Sequence, residues 1–144
     1  MAHTKVLVDG LCFGEGPRWH NDKLYFSDMH AGTVYTVDTN GNLETVVQLD
    51  NDQPSGLGWL PDGRLLIVSM TARKLLVYDG SVLNDMADLS HLASYHCNDM
   101  VTDALGRSYV GNFGFNLHSG EGFKKAELIL VDPDGQARIV ADEL

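Results

Sequence analysis

Three observations predict an all-β fold, a β-propeller of about three four-stranded blades. Runs of β-prone residues are short and alternate with period 2. Glycine, 15 of the 144 residues, breaks them every few positions. A repeat near 40 residues orders them: Trp19, Trp59 and Thr102 correspond at intervals of 40 and 43, and Asp38, Asp79 and Asp132 at intervals of 41 and 53. Repeats of that length, each holding several short strands, mean propeller blades. Helical repeats of similar period do not fit the period-2 alternation.

The elements follow in order. Residues 5–9 read as a short strand, and 14–19 as a loop because of their Gly and Pro. Strands are expected over 24–28 and 33–38, with a hairpin turn at Asn40-Gly41 and a last strand over 43–49. The second unit opens at Ser55-Gly56, turns at Pro61-Asp62-Gly63, and has strands over 64–70 and 74–78. The third opens at Asn98, turns at Gly106, and has strands over 107–111, 127–131 and 138–140. Its extra length is a long loop over 113–125 with its own aromatic residues. One domain of 1–144 is expected, with blades near 10–50, 51–92 and 93–144. Closed propellers use about four to eight blades. Three look like half of a six-bladed ring, so the chain is expected either to pair with a second copy, as a homodimer that completes the ring, or to be a piece of a longer protein.

Composition excludes several function classes. The net charge of −10 repels phosphate backbones and no basic stripe offsets it, so no nucleic acid is expected as a partner. No apolar run approaches the about 18 residues of a membrane span, and residues 1–5 lack the apolar core of a signal peptide. Two cysteines, Cys12 and Cys97, make no disulfide framework and no metal-binding CxxC. A reducing, cytoplasmic setting is expected, with no membrane as partner. Both thiols read as buried and inert, and Trp19 and Trp59 as blade-packing residues. Asp28 and His30 do not make a triad, because no Gly-x-Ser-x-Gly elbow accompanies them.

The candidate site gathers around 95–115, where His96, Asn98 and Asp99 form a polar cluster ahead of a strand. Glu15 and Asn98 are hard oxygen donors next to strands of different blades, suited to a divalent cation that takes about six to eight oxygens. Each residue has a plainer reading. Glu15 fits a solvated loop carboxylate, Asn98 and Asp99 fit turn formers, and His96 fits a structural histidine or a base near neutral pH.

The ordered set Glu15-Gly16-Pro17-Arg18-Trp19, Pro61-Asp62-Gly63-Arg64, Asn98-Asp99 and Asp103-Ala104-Leu105-Gly106-Arg107 resembles the gluconolactonase, regucalcin and senescence-marker-protein family. The resemblance covers essentially the whole chain and about the first half of the family's usual length. It implies a six-bladed propeller with a divalent cation near the axis, and hydrolysis of sugar or small lactones. Calcium is the first expectation for the ion, with zinc or magnesium as alternatives. Glu15 matches the family's metal glutamate. Asn98 matches its cavity asparagine, a substrate contact or metal neighbour. Met100 stands where the family has Gly, and His96 where it often has Arg. The family's next metal asparagine, and the aspartate that is ligand and base, belong to later blades. The expected roles are metal ligation by Glu15 and Asn98, substrate binding by Asn98 and His96, and acid–base catalysis by His96 and Asp99. The alternatives are a non-catalytic half-propeller that binds a cation or a partner, and an inactive truncated fragment.

Overall fold

The computed structural model describes residues 4–144. Among the described residues, twelve strands form three separate four-stranded antiparallel sheets, each in simple up-and-down order. Blade one holds β1 (Gly14–His20), β2 (Lys23–Asp28), β3 (Thr33–Val37) and β4 (Leu43–Gln48). Blade two holds β5 (Pro54–Trp59), β6 (Leu65–Ser69), β7 (Lys74–Tyr78) and β8 (Leu83–Asp88). Blade three holds β9 (Cys97–Thr102), β10 (Ser108–Asn112), β11 (Leu128–Val131) and β12 (Ala137–Ala141). The all-β propeller expectation is borne out, and the molecule is a partial propeller.

The turns are built from short-range side-chain chemistry. Asp38, Asp79 and Asp132 each follow the third strand of their blade. The Asp38 carboxylate accepts the N–H groups of Asn40 and Asn42, at 2.8 and 3.0 Å. Asp79 does the same for Ser81 and Val82, at 2.9 and 2.8 Å. Such Asx contacts stand in for backbone turn bonds. Between β1 and β2, Asn21 and Asp22 both take positive φ, as a two-residue hairpin that follows strand twist requires.

Blade two is packed on both faces. Leu57, Leu65, Ile67 and Leu76 pack with Val34, Tyr25 and Val46 of blade one. Leu66, Val68 and Leu75 pack with Met100, Val110, Ile129 and Val131 of blade three. Every residue of β6 is therefore buried, and its uninterrupted apolar run is what a doubly covered strand needs. Each fully buried Leu or Val of this kind is worth roughly 1.5–3 kcal/mol.

Two expectations for the first 20 residues are corrected. Residues 5–9 form no strand. They run beside blade one, where the Leu7 carbonyl lies next to Gly41, and Val6, Leu7 and Leu11 wall a crevice against Leu24, Phe26 and Val37. Residues 14–19 are not a loop but lie in β1. Its pairing to β2 slips between Glu15 and Arg18, and the bulge takes up Gly16, at φ 59°, together with Pro17.

Candidate functional site

The innermost strands β1, β5 and β9 are repeat-equivalent, and one contact proves it. The residue just before each inner strand accepts a backbone N–H from just after the second strand. The pairs are Met29 to Phe13 at 2.9 Å, Met70 to Gln53 at 2.9 Å, and Phe113 to His96 at 3.0 Å. Two residues further along come Glu15, Ser55 and Asn98, one at the same level of each blade.

Small residues let these strands converge. A Cβ on Gly16 would lie 2.9 Å from the Ser55 carbonyl, and one on Gly56 would lie 2.4 Å from the Met100 nitrogen. The buried Ser27 hydroxyl donates to the Ser55 carbonyl at 2.6 Å, fixing blade one on blade two. The Ser55 hydroxyl donates to Asn98 Oδ1 at 3.0 Å, fixing blade two on blade three. That hydroxyl also lies beside the Glu15 carboxyl, but its one proton is directed to Asn98. Glu15 Oε1 is thus buried with no hydrogen-bond partner. Burial raises the Glu15 pKa above the ordinary range; the Ser55 hydroxyl works against this, Asp99 adds to it and His30 opposes it.

Asp99 lies at the same strand but has a different environment. Its carboxylate accepts Arg18 Nη2 and its neighbour's Met100 N–H, both at 2.8 Å. The same guanidinium nitrogen reaches the Met100 carbonyl at 2.5 Å. Arg18 belongs to β1 and Asp99 to β9, so the pair spans the glycine-rich β5 between them.

His96 is half-buried and stacks on Tyr95, with ring centroids 4.1 Å apart. Burial lowers its pKa; Arg73 and His118 push the same way and Asp52 opposes them. The imidazole is therefore biased to its neutral form, which can accept a proton. It lines a cavity of about 290 Å³ to which all three blades contribute. Gln53 Nε2 lies 3.3 Å from His30 Nδ1 on the same wall. Asp28, by contrast, is a structural carboxylate: it accepts the N–H groups of Cys12 and Phe13, at 2.9 and 2.8 Å.

The structure thus brings Glu15 and Asn98 together through Ser55. Ser55 and Arg18 were not singled out as site residues in the sequence. The repeat register itself is the signal that finds Ser55, two positions after Gln53 as Glu15 is two after Phe13. Cys97 is buried and its thiol is pushed up to about 12, so it stays protonated, whereas Cys12 is exposed and corrects the expectation of two buried thiols. Among the described residues no three His, Cys, Asp or Glu side chains converge as a metal cluster. A cation at Glu15 would be met by one carboxylate and the neutral oxygens of Asn98 and Ser55. Such an all-oxygen set, with an unpartnered buried carboxylate oxygen, fits a hard ion.

Three four-stranded antiparallel blades, with oxygen-bearing side chains at one level of their inner strands, define a partial propeller. Residues 13–144 match the SMP-30/Gluconolactonase/LRE-like region, and the chain belongs to that family. It is 25% identical over 142 residues to Pentonolactonase XacC of Haloferax volcanii, an alignment covering 97% of this chain and 46% of the relative. Its fold matches a gluconolactonase from Xanthomonas campestris with a TM-score of 0.73 at 18% identity, over 94% of this chain and 49% of the other. It matches the calcium-binding protein regucalcin from Agrobacterium tumefaciens with a TM-score of 0.75 at 20% identity, over 96% and 46%. The chain spans about half the length of the curated relative it matches. The resemblance read from the motifs is borne out.

Proposed function

We propose that this chain carries the first half of a lactone-hydrolysing site, with Glu15 and Asn98 as ligands of a divalent cation. The observation behind this is Glu15 Oε1, buried, unpartnered and level with Ser55 and Asn98. A buried carboxylate oxygen without a donor is costly unless something positive meets it. The regucalcin relative is described as calcium-binding, and calcium is our first choice of ion, ahead of zinc and magnesium. Bound there, the ion would supply Lewis acidity toward a ring carbonyl and acidify water.

The chain's own residues supply the rest. The Asn98 amide orients the lactone. Neutral His96 takes the proton from the attacking water, and returns it to the ring oxygen as the acyl C–O bond breaks. The product is the open hydroxy acid. We assign the proton transfer to His96 and not to Asp99, because Asp99 is already engaged by Arg18. A homodimer would bring two copies of Glu15 and Asn98 to the axis, and free thiols at Cys12 and Cys97 suit a cytoplasmic setting.

Calorimetry with Ca²⁺ or Zn²⁺ tests the site. Glu15→Gln weakens binding by at least about tenfold if Glu15 is a ligand. Hydrolysis of small γ- and δ-lactones rises above the buffer rate with metal present and falls in Asn98→Ala. Unchanged affinity in Glu15→Gln removes the ligand assignment. Metal binding without turnover selects the second reading, a non-catalytic half-ring that binds a cation. One observation favours that reading: Asp99, the other carboxylate of the polar cluster, is held by Arg18 and is not free to act as a base.

A further inference from the structure

The cavity beside His96 carries information that the axial oxygens do not. Its wall comes from one repeat position used three times. Met29, Met70 and Phe113 are the residues whose N–H groups bond back to Phe13, Gln53 and His96. All three side chains are apolar, and all three line the cavity. The long β10–β11 loop adds Leu117 to the lining. Both feet of that loop are fixed. Asn112 Nδ2 donates to the Glu127 carbonyl at 3.0 Å, and Asn112 Oδ1 accepts the Gly114 N–H at 2.8 Å. Leu117 lines the cavity without being part of a core, and is 56% exposed.

Polar groups share the lining, His30, His96 and His118 with Gln53, Thr71 and Tyr95, but most of its surface is apolar. A polyhydroxylated ring pressed against two thioethers, a phenyl ring and an isobutyl group would leave several hydroxyls without partners. An alkyl or aryl group would lose water without losing hydrogen bonds. Methionines are the side chains that adapt to such a group, being unbranched and polarisable. The volume of about 290 Å³ admits a substituent of several carbons.

We propose that this cavity is a specificity pocket for an apolar substituent, so that the site takes lactones bearing an alkyl or aryl side chain in preference to bare sugar lactones. The proposal rests on the lactone-hydrolase reading, and names the substrate class of the same site. The ring faces Asn98 and His96, and the substituent runs over Met29, Met70 and Phe113 toward Leu117.

Two lactams, which mimic the ring and resist hydrolysis, make the test independent of turnover. Calorimetry on the full chain compares δ-valerolactam with its 6-pentyl derivative. The pentyl compound binds at least about tenfold tighter, given the several methylenes it buries. Phe113→Ser and Leu117→Asn each cut that ratio by about half or more. Leu117→Asn alters an exposed loop side chain and leaves the fold intact, as circular dichroism will record. Equal affinity for the two lactams overturns the proposal, as does a ratio that neither variant changes, or no measurable binding of the pentyl compound. Turnover of δ-valerolactone and of glucono-δ-lactone is followed in parallel. Hydrolysis without chain preference leaves the lactonase reading standing and removes the pocket. Selective pentyl-lactam binding without hydrolysis does the reverse.

Discussion

Asp52 carries more of the local structure than any residue of the polar cluster. Its carboxylate accepts the N–H groups of Gln53 and Thr71, at 2.8 and 3.0 Å, and the hydroxyls of Ser69 and Thr71. It ties the segment leading into β5 to the β6–β7 turn, both of which wall the cavity. Burial alone would raise its pKa, but the Ser69 and Thr71 hydroxyls and the two N–H donors outweigh it, and the net shift is downward. A carboxylate with a lowered folded-state pKa stabilises above its unfolded value, ordinarily 3.8, and loses that contribution as pH falls through the folded value. Asp52→Ala leaves the buried Ser69 hydroxyl unpaired and costs about 1–3 kcal/mol at neutral pH. In urea titrations the loss shrinks as pH falls below the ordinary Asp value, and is gone once pH has passed the lower folded-state value, where wild type also loses the charge. Glu15 has the opposite sign. Its raised pKa makes protonation favour folding, a contribution present below the unfolded value and lost as pH rises through the folded one. Glu15→Gln therefore raises the urea midpoint at neutral pH in chelator, while it weakens cation binding. A midpoint lowered by Glu15→Gln in chelator would show that the carboxylate has a partner after all.

At the scale of elements, the inner strands explain how 14–19 can have the composition of a loop and yet form a strand. Gly16, Pro17, Gly56 and Gly58 carry the composition of a turn. Their actual role is close approach between backbones near an axis: Gly56 admits Met100, and Gly58 admits the Thr102 side chain. Single-sequence reasoning sees the residue type and not the neighbouring strand, so the two uses look alike. The outer strands were legible because their alternation and Asx turns are local. The site was half legible for the same reason. Glu15 and Asn98 stood out by motif, whereas Ser55 acquires meaning only from the register between blades. Two glycine variants separate the two uses. Gly56→Ala places a methyl against backbone and costs about 1–3 kcal/mol, with a matching drop in thermal midpoint. Gly63→Ala has open space around it and meets only the left-handed φ of 91°, for about 1–2 kcal/mol. The distinguishing readout is the site: cation affinity falls with Gly56→Ala, which pushes β5 from β9, and is unchanged by Gly63→Ala. Equal effects on affinity would show that strand spacing does not set the ligand geometry.

At the scale of the molecule, the period near 40 residues was enough to place three blades, because repetition is written in the spacing of Trp and Asp. What closes the ring was not written there. We propose a second copy related by a two-fold axis, in which blade one of each chain meets blade three of the other. Light scattering with and without chelator gives the mass of a dimer in that case, and the mass of one chain overturns it. Residues 5–9 lie beside blade one, where Val6, Leu7 and Val8 cover part of its surface.

The two tryptophans make that closure visible in light. Trp59 lies flat on His20, ring centroids 4.0 Å apart and 11° from parallel, with the Tyr25 edge at 5.1 Å. Trp19 holds the equivalent place one blade earlier and is 58% exposed, so its expected role in blade packing is not met within this chain. Among the described residues no further blade lies against that side of blade one. One indole is therefore a shielded emitter under an imidazole, and the other is a water-facing emitter at the open end. In Trp59→Phe, the remaining fluorescence reports only whether something has seated against blade one. Dilution through the dimer range should move that emission to longer wavelength and make it accessible to iodide. Emission unchanged on dilution, from a species shown to be dimeric, would place the contact elsewhere on the surface.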